Sequence, residues 1–119
     1  MLGDEYVDRA LSNVTALTKD LQQLVTEFCW GAVWTRPGLD RKSRSLCNIA
    51  MFVALNRPHE LRAHVRGALR NGATREEIVE VLLQGTIYCG VPAGIDSFRA
   101  AQEALEAEED VGSDGEGQA

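Results

Sequence analysis

Apolar residues return every three to four positions along nearly all of this 119-residue chain, and each run is cut by a residue that stops or starts a helix. No stretch alternates with period two for long enough to form a strand, so an all-α fold is expected. Tyr6, Val7, Ala10, Leu11 and Val14 mark a first helix, and Leu17, Leu21, Leu24, Val25, Phe28 and Ala32 a longer second one. Pro37-Gly38 breaks the chain. Asp40 is the N-cap of a third helix with Leu46, Ile49, Ala50, Val53 and Ala54 inward, ending at Asn56-Arg57-Pro58. A fourth begins on Pro58, turns Leu61, Val65, Ala68 and Leu69 inward, and closes at Asn71-Gly72. Thr74-Arg75-Glu76-Glu77 is a capping box for a fifth, which carries Ile78, Val81, Leu82 and Gly85 and runs to Tyr88-Cys89-Gly90. Pro92 opens the sixth, with Ile95, Phe98, Ala101 and Leu105 facing in.

Short connections between these runs pack successive helices as hairpins in one domain over residues 1–105. The run from Ile78 to Ile87 is apolar nearly all round, a surplus that subunit association would cover, and Gly85 within it is either a tolerated helical glycine or the place where a neighbouring helix approaches closely. The formal charge of -6 is local: the six acids from Glu106 onward face no Lys or Arg, and the other 12 acids match the 12 bases. Residues 106–119 are therefore expected to be an acidic, disordered tail. The folded part lacks the basic excess that binding to nucleic acid requires. No apolar run approaches the ~20 residues of a bilayer span, and the N-terminus lacks the pattern of a secretion signal, so no membrane partner and a cytoplasmic location are expected. Cys29, Cys47 and Cys89 form no C-x-x-C pair and read as small core residues rather than a disulfide or metal framework.

The segment from Trp30 to Leu46 carries both tryptophans and four bases between two amphipathic helices. Indole offers a large apolar wall with one donor, and the guanidinium fork of Arg36 or Arg44 matches a carboxylate at two points, so an organic acid would suit this corner. The spacing is equally met by Trp30 and Trp34 packing under the loop beside solvated bases.

Several pieces then stand in order: Leu2-Gly3-Asp4, Val7-Asp8-Arg9-Ala10-Leu11, Trp30-Gly31, Trp34-Thr35-Arg36-Pro37-Gly38-Leu39, Arg44-Ser45-Leu46, Glu60-Leu61-Arg62, His64-Val65-Arg66, Asn71-Gly72, Thr74, Glu77-Ile78 and Tyr88-Cys89-Gly90-Val91-Pro92-Ala93. Together, from about residue 2 to 105, they resemble the carboxymuconolactone decarboxylase family, and more closely its 4-carboxymuconolactone decarboxylase branch than its peroxidase-like branch. The peroxidase chemistry needs a second thiol, whereas Thr86 and Pro92 stand three residues either side of Cys89. The resemblance implies an alkyl hydroperoxidase D-like bundle of about six helices, a ring-like homo-oligomer (trimer or hexamer), and a carboxy-lyase. It further implies a cofactor-free conversion of 4-carboxymuconolactone to the β-ketoadipate enol-lactone in protocatechuate catabolism. Where the branch usually continues with alanine and asparagine, this chain has Gly94, Ile95 and Asp96, so that corner can hold a different substrate.

Under that resemblance, carbon dioxide leaves because the unsaturated lactone takes up the electron pair it abandons, and no cofactor is needed. The protein must hold the second carboxylate, give the departing one a less polar wall, and return a proton to carbon. His64 is the candidate proton donor, with Glu60 one helical turn earlier to raise its pKa and orient it; a histidine merely satisfied by Glu60 is the structural alternative. Arg44 and Arg36 are candidates for the carboxylate, Trp30 and Trp34 for the wall, Tyr88 for a donor to the lactone oxygen, and Cys89 for the lining. Arg62, Arg66 and Arg70 form a stripe read as solvated or intersubunit. Two other readings are open: a relative acting on a different acid as decarboxylase, isomerase or cyclase, and a non-catalytic helical binding or assembly module.

Overall fold

The computed structural model describes the backbone of residues 15–118 and the side chains of residues 15–109, so the first expected helix and Leu2-Gly3-Asp4 lie outside the described residues. The described residues form helices and connecting turns only. We number the helices α1 (Lys19–Leu24), α2 (Arg41–Leu55), α3 (Pro58–Arg70), α4 (Arg75–Cys89) and α5 (Val91–Gln118), with α1 continuing directly into a π-helical segment, Val25–Val33.

Local chemistry sets nearly every boundary. Asp40 accepts from the Ser43 N–H at 2.7 Å and caps α2. Asn56, in the left-handed region at φ 55°, ends that helix, and Pro58 starts α3 at a position where its missing N–H costs nothing. Thr74 and Glu77 form a reciprocal capping box at 3.1 and 2.9 Å. Gly90, at φ 104°, makes the sharp turn from α4 into α5 that a side-chain-bearing residue would resist.

α2 and α5 each pack on both α3 and α4, a four-helix arrangement around one core. Ile49 and Val53 of α2, Leu61 and Val65 of α3, and Ile78 and Leu82 of α4 are buried against Ala100, Ala101 and Ala104 of α5. Most of the expected inward positions are therefore correct. Ala54, near the end of α2, is exposed, and so is Ile95, because the inward line of α5 runs through Ser97, Ala101 and Ala104 instead. Small residues on that line let α5 approach its neighbours closely. Asn71, at the C-terminal cap of α3, donates to the buried Ser45 hydroxyl of α2 at 2.9 Å. Lys42–Glu77 at 3.1 Å and Arg62–Glu103 at 2.6 Å add exposed ion pairs, each worth less than about 1 kcal/mol.

Two expectations change. The second helix was expected to bury Leu17, Leu21, Leu24 and Phe28, yet all four are exposed, Leu17 at 92 %, and no residue of α1 or the π-helical segment before Trp34 is buried. Its apolar stripe meets no partner within the described chain. Cys47 and Cys89 are exposed rather than core residues, because each lies on a helix flank turned away from the packed faces, and only Cys29 is partly covered. At the other end, α5 continues as helix past Leu105 to Gln118, and Glu109 pairs with Arg75 at 2.6 Å.

Two glycines mark close helix contacts. A Cβ on Gly85 would meet Val53 Cγ1 at 3.0 Å, where α4 crosses α2. A Cβ on Gly94 would fall 2.6 Å from Cγ2 and 2.7 Å from Cβ of Thr86, so no threonine rotamer clears it. Packing thus accounts for Gly94. Gly94→Ala is expected to force α4 and α5 apart at a cost of about 1–3 kcal/mol, read as a lower denaturant midpoint; an unchanged midpoint would show that the contact relaxes freely.

Candidate active site

The π-helical segment ends where the Trp34 N–H donates to the carbonyl of Cys29 at 3.0 Å, five residues back. This brings the two indoles to a centroid separation of 5.8 Å, tilted by 52°. Trp34 is 6 % exposed and Trp30 partly buried, so the two indoles pack together at the head of the loop. Burial raises the Cys29 thiol pKa above its ordinary value, with the Trp34 side chain pulling it back.

Beyond Trp34 the loop folds back on α2. Arg44, on the first turns of α2, donates from Nη2 to the carbonyl oxygen of the exposed Arg36 at 3.3 Å, which brings the two candidate carboxylate-binding residues together. The Nε of Arg44 is buried without a hydrogen-bond partner among the described residues, as are those of Arg62 and Arg66. A buried N–H left unpaired costs roughly 1–3 kcal/mol, which a bound acceptor would recover.

Four and eight residues after Arg44, on the same flank of α2, stand Asn48 and Phe52. His64 of α3 packs there. Its ring lies 4.8 Å from that of Phe52, tilted by 49°, and its Nδ1 is 3.3 Å from the side-chain nitrogen of Asn48. Burial pushes the His64 pKa down from 6.5 to about 4, against a smaller upward pull from Glu60. The expected effect of Glu60 has the right sign but is the weaker one. His64 is uncharged at neutral pH, and Asn48 and Phe52 hold the ring; neither was singled out from the sequence, although Arg44, Asn48 and Phe52 share a four-residue spacing that places them along one stripe.

This depressed pKa has a stability consequence. Between pH 6.5 and about 4 the unfolded chain binds a proton at this histidine that the folded one does not, so its contribution is complete above 6.5 and is lost as the pH falls towards 4. The parent should lose on the order of 2 kcal/mol more than His64→Gln over that interval, after allowance for solvent screening. Urea midpoints at pH 7 and pH 4.5 for both proteins measure it; parallel losses would refute the assignment.

Tyr88 and Cys89 are elsewhere. Tyr88 is 84 % exposed, and both line a cavity of about 330 Å³ with Leu46, Cys47 and Ala50 of α2. On a helical projection those α2 positions lie opposite Asn48 and Phe52, so within one chain Tyr88 and Cys89 are separated from His64 by the body of α2. A larger groove of about 670 Å³ runs between α4 and α5 over Leu83, Ile95 and Phe98, and none of the candidate residues lines it. Of its charged groups, Arg75 pairs with Glu109, Arg99 lies 3.8 Å from Asp96 beside the groove, and Glu106 accepts from the Gln102 amide at 3.0 Å. Arg62 of the α3 stripe is tied to Glu103. Among the described residues no three His, Cys, Asp or Glu side chains converge as a metal site, and no helix is long and apolar enough to cross a membrane.

Comparison with known proteins bears on this arrangement. The chain is 45 % identical over 105 residues, 88 % of its own length and 73 % of the relative's, to a nitrosuccinic acid decarboxylase of Metarhizium robertsii. It is 41 % identical over 105 residues, 88 % of its length and 78 % of the relative's, to a 4-carboxymuconolactone decarboxylase of Acinetobacter baylyi. An uncharacterized 15.0 kDa protein of Paracoccus denitrificans is 40 % identical over 87 residues, 71 % of this chain and 63 % of that protein. The profile of the carboxymuconolactone decarboxylase family matches residues 19–103, which run from α1 into α5 and include every candidate residue above. With the helical fold and the arginine–histidine flank, this similarity makes the chain a carboxy-lyase that belongs to the carboxymuconolactone decarboxylase family.

Proposed function

We propose that the protein decarboxylates a small dicarboxylate without a cofactor, and that 4-carboxymuconolactone, converted to the β-ketoadipate enol-lactone of protocatechuate catabolism in the cytoplasm, is its leading substrate. The observation that carries this reading is the similarity to two decarboxylases whose named substrates share one chemical plan. In each acid the saturated carbon that loses carbon dioxide is bonded directly to an electron-accepting group, and a second carboxylate remains. In the lactone the acceptor is the unsaturated ester, which becomes a dienolate. In nitrosuccinate it is the nitro group, which becomes a nitronate. The acceptor is built into either substrate.

The residues have roles that follow from this plan. Arg44 and Arg36 hold the retained carboxylate, the unpaired Nε–H of Arg44 supplying one donor. Trp30, Trp34 and Phe52 surround the departing carboxylate with apolar surface that favours the uncharged product. His64, neutral when the site is empty, takes a proton as the dianion binds beside it, since nearby negative charge favours the imidazolium. The bond to the carboxylate then breaks, its electron pair enters the acceptor, and His64 delivers the proton to carbon. Dianion plus proton becomes monoanion plus carbon dioxide. Glu60 supports the charged ring. Tyr88 and Cys89, exposed on the far side of α2, reach a site only across a subunit boundary, which fits a ring-like homo-oligomer, a trimer or hexamer.

The second reading, an acyclic nitro acid as substrate, is favoured by the 45 % identity to the nitrosuccinic acid decarboxylase. Ultraviolet absorbance of the lactone and of nitrosuccinate, each mixed with the purified protein, separates the two. Turnover of either supports cofactor-free decarboxylation, and turnover of neither sinks it.

A further inference from the structure

Resting on the reading of His64 as proton carrier, we infer that Asn48 is a positioning residue, whose side-chain amide holds the neutral His64 ring with its hydrogen on Nε2 and directs that edge to the substrate. The contact is between the amide nitrogen of Asn48 and Nδ1 of His64 at 3.3 Å. An amide nitrogen can only donate, so Nδ1 must accept and the remaining ring hydrogen sits on Nε2. Phe52, one turn further along α2, lies against the ring at 4.8 Å and limits its rotation. Among the described residues no hydrogen bond occupies Nε2, which leaves that edge for a ligand. α2 therefore presents to the ring one uncharged donor and one aromatic face, and the charged group that acts on it is Glu60 of its own helix.

An asparagine suits this position for a further reason. The proton taken up as the dianion binds goes to Nδ1, the ring nitrogen without one; that hydrogen stays when the ring gives its Nε2 proton to carbon and needs an acceptor, and a half-turn of the carboxamide offers Oδ1 in place of Nδ2. The same side chain thus serves the ring before and after transfer. Aspartate can serve only the second state, and leucine neither.

Nitrogen-15 spectra of the imidazole in the full-length protein at pH 7 test the inference without any substrate, His64→Gln identifying the signal among the chain's two histidines. The parent should show a hydrogen-bearing Nε2 and a bare Nδ1. In Asn48→Asp the pattern should reverse and the titration midpoint should rise by at least about one unit, because a carboxylate accepts from Nδ1 and favours the charged ring. In Asn48→Leu, which keeps the volume, the two tautomers should mix. Both variants should lose roughly 10- to 100-fold in kcat on whichever acid the parent turns over, with KM moved by less than about twofold. A parent-like tautomer pattern in both folded variants overturns the inference. If the pattern reverses in Asn48→Asp while His64→Gln keeps full activity, the tautomer assignment stands and the proton-carrier reading fails, so the two failures are distinct.

Discussion

His64→Gln is expected to reduce kcat by roughly 10²- to 10⁴-fold while leaving helix content intact. Glutamine fills a similar space and can meet Asn48 and Phe52 at the α2–α3 contact, so packing is conserved. What it cannot do is take up and release a proton near neutral pH. The loss should appear in single-turnover measurements as well as at steady state, because it falls on the step that returns hydrogen to carbon. Supplying the carboxymuconolactone or nitro acid that the parent accepts, and finding the variant within about threefold of it, would remove His64 from the proton path and point to water as the donor.

Arg44→Lys should cost roughly 10- to 150-fold in kcat/KM, the equivalent of about 1.5–3 kcal/mol for a charge-assisted contact. The charge survives this change, but the planar fork does not. In the parent one guanidinium nitrogen is committed to the Arg36 carbonyl while Nε remains unpaired and buried, a division of labour that a single ammonium group cannot reproduce. Loss of the Arg36 tether should also loosen the loop between Trp34 and Asp40, so KM should rise more than kcat falls. A variant with parental kinetic constants would show that the carboxylate is held elsewhere, and Arg66, whose Nε is likewise buried and unpaired, would be the next arginine to replace.

The helices described here were legible from local chemistry. The Asp40 cap, the Asn56–Pro58 break, the Thr74–Glu77 box and the Gly90 turn each depend on interactions spanning only a few residues, and all stand where their residue types demand. Inward positions of α2, α3 and α4, Ala54 apart, followed from spacing for the same reason. The failures are non-local. Leu17, Leu21 and Phe28 have helical periodicity, but periodicity shows only that a face is apolar, not what covers it. The widened winding from Val25 to Val33 has no composition cue either, since its apolar pattern serves an α-helix equally well.

The same division runs through the site. The sequence alone nominated the candidate groups, an indole and guanidinium corner with a histidine in reach of Glu60, because residue type dictates what a side chain can bind or protonate. Only the tertiary structure decided which groups meet. Packing α3 against α2 put His64 under Asn48 and Phe52, where desolvation outweighs Glu60 and the ring is uncharged. The body of α2 set Tyr88 and Cys89 on the opposite side. Burial and distance arise from helices crossing at positions far apart in the chain, and no spacing within one helix encodes them.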